Sequence, residues 1–291
     1  MSRPLLIIDG DSFAHRSYHA LPKTIRRRQG RSAGAIVGFA NMLLRLYAME
    51  RPRAVLVGWD TLDAPTWRHP LLPGYQGGRV FDPELIDQLS VLPELVAACG
   101  FATAKAPGYE ADDFLAAAVA HEEERGGCSV VASGDRDAFQ LASANTVILQ
   151  PVRAGEMVRI GPAEVRDRYG VDPAQVPDFI ALRGDPSDRI PGAAGVGPKG
   201  AAASLRRYGS LAAALADGRF AAEADTLRLY CRIATMDATA PLPALDDQTP
   251  DWLAAADLAR DWELANLADR FAALGGDAAA EKFGPLAPLR S

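Results

Sequence analysis

A chain of 291 residues, 48% hydrophobic and 23% charged, is long enough for one large α/β domain or for one such domain plus a smaller helical unit. That composition excludes disordered and fibrous classes. No apolar run approaches the roughly 20 residues of a membrane span, and MSRPLLIIDGDS meets acid too soon for a secretory signal. The net charge of −6 excludes a uniformly basic nucleic-acid binder.

In chain order, residues 4–8 predict a buried strand, followed by a helix over 12–20. RRRQGR (26–31) predicts a polar loop. Ile36, Val37, Phe39, Ala40, Leu43, Leu44 and Tyr47 recur at helical spacing over 33–50. A second strand is expected at 54–59. Residues 61–81 are rich in Pro and Gly and lack periodicity, which marks a long functional loop. Asp82 and Pro83 predict a capped helix running to Ala98, with Gly100 as its stop. Then come a helix at 110–125, a strand at 128–132, a helix at 135–143 and a strand at 146–149. This alternation predicts a mainly parallel sheet with helices on both faces. Short helices and glycine turns fill 162–235. In the tail, 236–291, Trp252, Trp262, Leu264, Leu267 and Phe271 predict one or two packed helices. Cys99, Cys128 and Cys231 are odd in number, far apart and lack metal-ligand spacing, so they are expected to be reduced intracellular thiols.

Nine carboxylates fall in five short clusters: Asp9; Asp60; Glu110, Asp112 and Asp113; Asp135 and Asp137; Asp185 and Asp188. The first, second and fourth end apolar runs (LLIID, AVLVGWD, SVVASGDRD), so strand ends are expected to bring them to one sheet edge, where open α/β sheets bind ligands. An acid ending a strand is ordinarily a turn or cap residue, and acids in a first helical turn ordinarily complement the helix dipole. Nine together at one edge would repel one another unless cations held them, and their hard oxygens suit at least two divalent ions. Removing these nine from the 37 acids leaves 28 against 31 Lys and Arg, so the remaining surface is mildly basic. Gly195-Val196-Gly197-Pro198-Lys199 opens a helix, and glycines there let backbone N–H groups approach a phosphate. Arg26, Arg27, Arg28, Arg31, Arg206 and Arg207 are further candidates to track a phosphate backbone.

The motifs LLIIDGDSFAHRSYHAL, VGWDTLDAPTWRH, GYEADDFLAAAVA, SGDRDAFQL and FIALRGDPSDRIPGAAGVGPKGAAASLRRYGSL together resemble the bacterial 5′ nuclease family, which includes the N-terminal domain of DNA polymerase I and stand-alone flap endonucleases. The resemblance covers about Leu5 to Leu211, and no polymerase domain follows, so a stand-alone enzyme is expected.

It implies a PIN-like core over 1–160 with an arch at about 61–98. A helix-three-turn-helix DNA-binding element at about 176–208 would lie in a helical region over 161–235, with the 236–291 tail packing on the core. It implies that the nine acids hold two or more Mg²⁺ or Mn²⁺ ions, directly or through water. Arg16, Arg68 and Arg79 match positions at or near the scissile phosphate, and His15 stands where a tyrosine usually stacks on a terminal base. Ser187, Gly195, Gly197 and Lys199 match the duplex-binding element, with a K⁺ there. The implied reaction is phosphodiester hydrolysis at 5′ flaps, nicks and RNA-DNA primer ends during replication and repair, by a cytoplasmic, nucleoid-associated monomer. Gln76 departs from the pattern, standing where the family carries a lysine.

Two other readings compete. A phosphatase of the haloacid-dehalogenase kind would use Asp9 as nucleophile but leaves GVGPK and EADD without a role. A structure-specific DNA-binding protein with weakened catalysis would not need all nine acids.

Overall fold

The computed structural model describes residues 3–78, 80–152 and 155–276. The apolar runs read from the sequence form the centre of a six-stranded sheet. Its strands are β1 (Leu5–Asp9), β4 (Ala54–Gly58), β5 (Ala102–Ala104), β6 (Ser129–Ala132), β7 (Thr146–Pro151) and β8 (Met157–Ile160), in the order β5-β4-β1-β6-β7-β8. All pairings are parallel except β7 with β8. Ile7 lies opposite both Leu56 and Val131, which places the ends of β1, β4 and β6 level with one another.

Alternate residues of β1 serve opposite layers. Leu5 and Ile7 pack with Phe114 and Leu115 of α5 (Ala111–Glu124) and with the helical region. Leu6 and Ile8 pack with α1 (Gly10–Ala20) and α2 (Gly34–Glu50), and this layer extends to α11 (Trp252–Asp261) and α12 (Ala265–Gly275). The predicted packed helices of the tail are these last two. Burial on both faces accounts for the uninterrupted apolar strands. Among the described residues, no helix is long and apolar enough to cross a membrane.

Four local expectations are corrected. The predicted polar loop at 26–31 is a hairpin, β2 (Arg26–Arg27) with β3 (Arg31–Ser32), turning through Gln29 and Gly30, both at positive φ. Arg26 pairs with Glu84 at 3.1 Å, and Arg27 and Arg31 pair with Asp87, so these arginines tie the hairpin to the neighbouring helix. The predicted single helix to Ala98 is two, α3 (Pro83–Leu89) and α4 (Leu92–Ala98). A continuous helix would drive the Pro93 ring against the Leu89 carbonyl, so the chain breaks and uses Pro93 in a new first turn. The expected helix at 135–143 is a short 3-10 turn, Asp137–Leu141. The strands β5 and β8 were not anticipated; they are three and four residues long.

Beyond the sheet come α6 (Pro162–Tyr169), α7 (Val176–Arg183), α8 (Pro198–Tyr208), α9 (Leu211–Ala216) and α10 (Ala224–Ala234). Between α7 and α8 the chain doubles back tightly. Asp185 and Ile190 exchange backbone hydrogen bonds at 2.7 and 2.8 Å. Gly184 and Gly192 lie back to back, both at φ +78°, and a Cβ on Gly192 would sit 2.4 Å from the Gly184 nitrogen. Glycine is required at both, and this contact fixes the turn that carries Asp185 and Asp188.

Candidate active site

The carboxyl ends of β1, β4 and β6, the start of α5 and the turn after α7 surround one basin of about 610 Å³. Eight of the nine acids line it: Asp9, Asp60, Glu110, Asp112, Asp135, Asp137, Asp185 and Asp188. His15 and Ser187 line it as well.

Backbone and hydroxyl donors fix several of these carboxylates. Asp9 caps α1, accepting from the Ser12 N–H at 2.9 Å, and its other oxygen accepts from the Ser133 hydroxyl at 2.7 Å. Asp60 accepts from the Ala111 N–H, at the start of α5, at 2.7 Å. Asp135 accepts from the Asp137 N–H at 2.9 Å, and Asp185 from the Ser187 N–H at 2.8 Å. The capping roles that sequence suggested for single acids are therefore real, and the same residues line one basin.

The electrostatics show what that arrangement costs. Burial pushes the Asp9 carboxyl up to about 7, with Asp60 and Asp135 adding repulsion. Burial likewise raises Glu110 to about 7, against the opposing pull of Arg68. Asp112 is held well above its ordinary value by burial and then by Asp135, Asp9, Asp60 and Glu110. Its Oδ1 is sealed from solvent without a hydrogen-bond partner. Asp137 is raised by burial and by Asp135, Asp188 and Asp185. Among the described residues no three acidic, His or Cys side chains close into a ready-made cage. The donor set nevertheless fits hard divalent cations: all its ligands are carboxylate oxygens, one is orphaned, and their mutual repulsion is what a cation relieves.

A pH dependence follows. Asp9 and Glu110 hold protons in the folded state up to about pH 7 that the unfolded chain releases near 4, so metal-free stability declines as pH rises through that window, by a few kcal/mol. Divalent cation removes the penalty. The gap between melting temperatures with Mn²⁺ and with EDTA is therefore expected to widen from about pH 5 to about pH 7.5; a constant gap would contradict buried repulsion.

Several site residues stand elsewhere than expected. Asp113 is fully buried and faces away from the basin, bound by Arg68 at 2.7 and 2.9 Å. It also accepts from the backbone N–H groups of Glu110 at 3.1 Å and Asp237 at 2.9 Å. Its role is to brace α5. Arg68, expected at the scissile phosphate, is 2% exposed and spends its guanidinium on Asp113 and on the Ile233 carbonyl at 2.9 Å. Burial opposes its charge, but the Asp113 hydrogen bonds and the Glu110 charge outweigh that. Arg16 is not in the basin lining but in an adjoining groove, its Cδ close to Gly134. Arg79 lies outside the described residues. Gly195, Gly197 and Lys199 form a separate exposed surface: Gly195 has φ +72°, and Gly197 precedes α8.

Sequence reasoning did not single out several residues of the basin lining, among them Asp11, Arg136, Arg183, Phe81 and Tyr75. Asp11 is a buried tenth acid that accepts from the Asp60 N–H at 2.7 Å; the signal was present in DGDS, two residues after Asp9. Arg136 and Arg183 supply cations at the wall, Arg183 reaching Asp185 at 3.2 Å. Phe81 meets His15 edge to face, with ring centroids 5.1 Å apart. The Tyr75 hydroxyl donates to Glu110 at 3.0 Å. Gln76, noted above only as a departure, lines the basin too. Its amide donates weakly to Glu110 and Asp188, at 3.4 and 3.3 Å, so a neutral side chain bridges two acid clusters.

A carboxylate-rich basin at the carboxyl edge of a mainly parallel sheet, continued by a helical region with an exposed glycine turn, has the donor chemistry of a divalent-metal site. The chain belongs to the 5′-3′ exonuclease family. Residues 4–170 match the model of the 5′-3′ exonuclease N-terminal resolvase-like domain, and 171–253 that of its C-terminal SAM fold. It is 35% identical to a 5′-3′ exonuclease of Mycobacterium tuberculosis H37Rv over 91% of this chain and 93% of that protein. It is 39% identical to DNA polymerase I of Mycobacterium bovis over 71% of this chain, where it spans 23% of the relative's length. The fold is that of the bacteriophage T5 D15 protein co-crystallised with metal ions (TM-score 0.66, 18% identity, 92% of this chain and 97% of that one). It is also that of the catalytic core of Rad2 in complex with DNA substrate (TM-score 0.58, 14% identity, 93% and 91%).

Proposed function

We propose that this chain is a structure-specific 5′ nuclease, acting as 5′-3′ exonuclease and flap endonuclease on branched or nicked DNA and on RNA-DNA primer ends. The observation that carries the proposal is the convergence of eight carboxylates from five separate turns on one basin. These eight would hold two or more Mg²⁺ or Mn²⁺ ions. Bound there, such ions lower the pKa of water and stabilise a leaving oxygen.

The chain's own residues supply the rest. Ser12 and Ser133 orient Asp9, and the first turn of α5 orients Asp60. Arg183 and Arg136 face the basin from the wall and offset phosphate charge. Arg16 and Arg79 are assigned to the neighbouring phosphates on their match to family positions, and His15 to a terminal base. We assign Ser187, Gly195, Gly197 and Lys199 to the duplex backbone, with a K⁺ at that element. The α/β core over 1–160 would then do the chemistry, and the helical region over 161–235 would hold the duplex.

Mapping of products from 5′-labelled flap and nicked duplexes with Mg²⁺ or Mn²⁺ tests the reading. Release of the flap near its junction is expected; no cleavage with either metal at protein excess would overturn it. The duplex assignment carries its own prediction. Lys199→Ala is expected to weaken duplex binding equally across sequences and to lower the salt dependence by about one phosphate contact. Fluorescence anisotropy at several salt concentrations measures this slope.

A further inference from the structure

The loop over 61–81 and the turn between α7 and α8 both border the basin, and they touch where Gln76 reaches Asp188 at 3.3 Å. One residue further along each segment, the Arg189 guanidinium lies against Gly77 and Gly78. A Cβ on Gly77 would sit 3.2 Å from its Nη1, and one on Gly78 2.9 Å from its Nη2. Gln76 and Asp188 both line the basin, so Arg189 stands at the rim. The nuclease reading gives this arginine no role.

Arg189 is exposed, and among the described residues neither a carboxylate nor a hydrogen bond engages its guanidinium. Arg68 and Arg183 differ in this, being held by Asp113 and Asp185. The Arg189 backbone lies at φ +58°, a left-handed conformation that suits glycine better than a long side chain. The hydrogen-bonded pair of Asp185 and Ile190 closes the turn around it and keeps it there. Residues held in such conformations cluster at ligand-binding and active sites. The carboxylates of the lining, Asp11 included, repel the phosphates on either side of the one under attack. Gln76 is neutral and does not offset this. A guanidinium does, and its planar fork matches two oxygens of one phosphate.

Resting on the nuclease reading above, we propose that Arg189 binds a backbone phosphate of the strand that enters the basin between the loop and the turn, next to the phosphate that is cleaved. It acts as a substrate-binding residue and extends the cationic side of the site from Arg136 and Arg183 at the wall out to the rim. Its charge, and not its contact with the loop, is what the strand requires.

The test scans 5′-flap duplexes in which one phosphate at a time, on either side of the cleavage point, is replaced by a neutral methylphosphonate. With the unaltered protein and Mn²⁺, one flanking replacement is expected to lower kcat/KM on the order of ten-fold, the scale of a charge-assisted hydrogen bond. Arg189→Ala is expected to cost about as much on the unmodified duplex, and that same replacement then costs the variant nothing more. Arg189→Gln, which keeps a polar side chain without the charge, serves if Arg189→Ala does not fold, as judged by its melting temperature. Full activity of the uncharged variant would overturn the proposal and leave the nuclease reading standing. So would a loss that multiplies with every replacement scanned, because Arg189 would then only brace the loop against the turn. Indifference of the unaltered protein to every replacement counts against it equally. No cleavage of any substrate by the unaltered protein would overturn the nuclease reading and the Arg189 assignment with it.

Discussion

Asp112→Asn is expected to lower flap cleavage by at least about two orders of magnitude while making the metal-free protein more stable. Asp112 stands among Asp9, Asp60, Glu110 and Asp135, and its sealed Oδ1 has no donor. A neutral amide of the same shape removes that repulsion and finds acceptors on every side. The gain in metal-free stability is on the order of 1–3 kcal/mol, the usual cost of a buried unsatisfied group. Metal-induced stabilisation should shrink in the same variant, because one ligand is lost. Thermal unfolding with EDTA and with Mn²⁺, beside a cleavage assay, reads all three effects. A variant less stable than the parent in EDTA would show that Asp112 is satisfied in some other way. Activity bought with instability is common at functional sites.

The second large effect concerns stability. Arg68→Ala is expected to cost about 3–5 kcal/mol, because it strands the fully buried Asp113 charge. Urea unfolding measures the loss. Replacing both partners removes the stranded charge, so an Arg68→Ala, Asp113→Ala double variant should recover part of it. An arginine whose work was to touch phosphate would behave the opposite way: unfolding would be unchanged and cleavage alone would fall.

These two residues show where legibility ended. Asp9, Asp60 and Asp135 were readable because each follows an apolar, β-branched run, and such runs become parallel strands whose ends share an edge. The DNA-contacting expectation for Gly195 and Gly197 rests on the same kind of local signal, glycine before a helix start. Arg68 and Asp113 were not readable, since nothing local separates an arginine that meets phosphate from one that meets a buried acid 45 residues away. Glu110 and Asp113 stand three residues apart at the start of α5, yet one lines the basin and the other is buried in the core. The short strands β5 and β8 were invisible for a different reason. Ala102–Ala104 and Met157–Ile160 are too brief to show a period of two, and their pairing with longer neighbours makes them strands. Pro93 was the clearest signal overlooked, since it forbids the continuous helix.

The buried Arg68 also reaches across the boundary between the two matched regions. Its guanidinium donates to the Ile233 carbonyl, and Asp113 accepts from the Asp237 N–H, so residues from 4–170 and from 171–253 meet at one ion pair. The two halves are therefore poor interchangeable cassettes. A chimera joined at residue 170, with a donor half that lacks a matching carbonyl and N–H at those points, would leave the buried Arg68 Nε–H without its acceptor and Asp113 without one of its donors. For this chain, the junction is constrained by a hydrogen-bond pattern that percent identity does not measure.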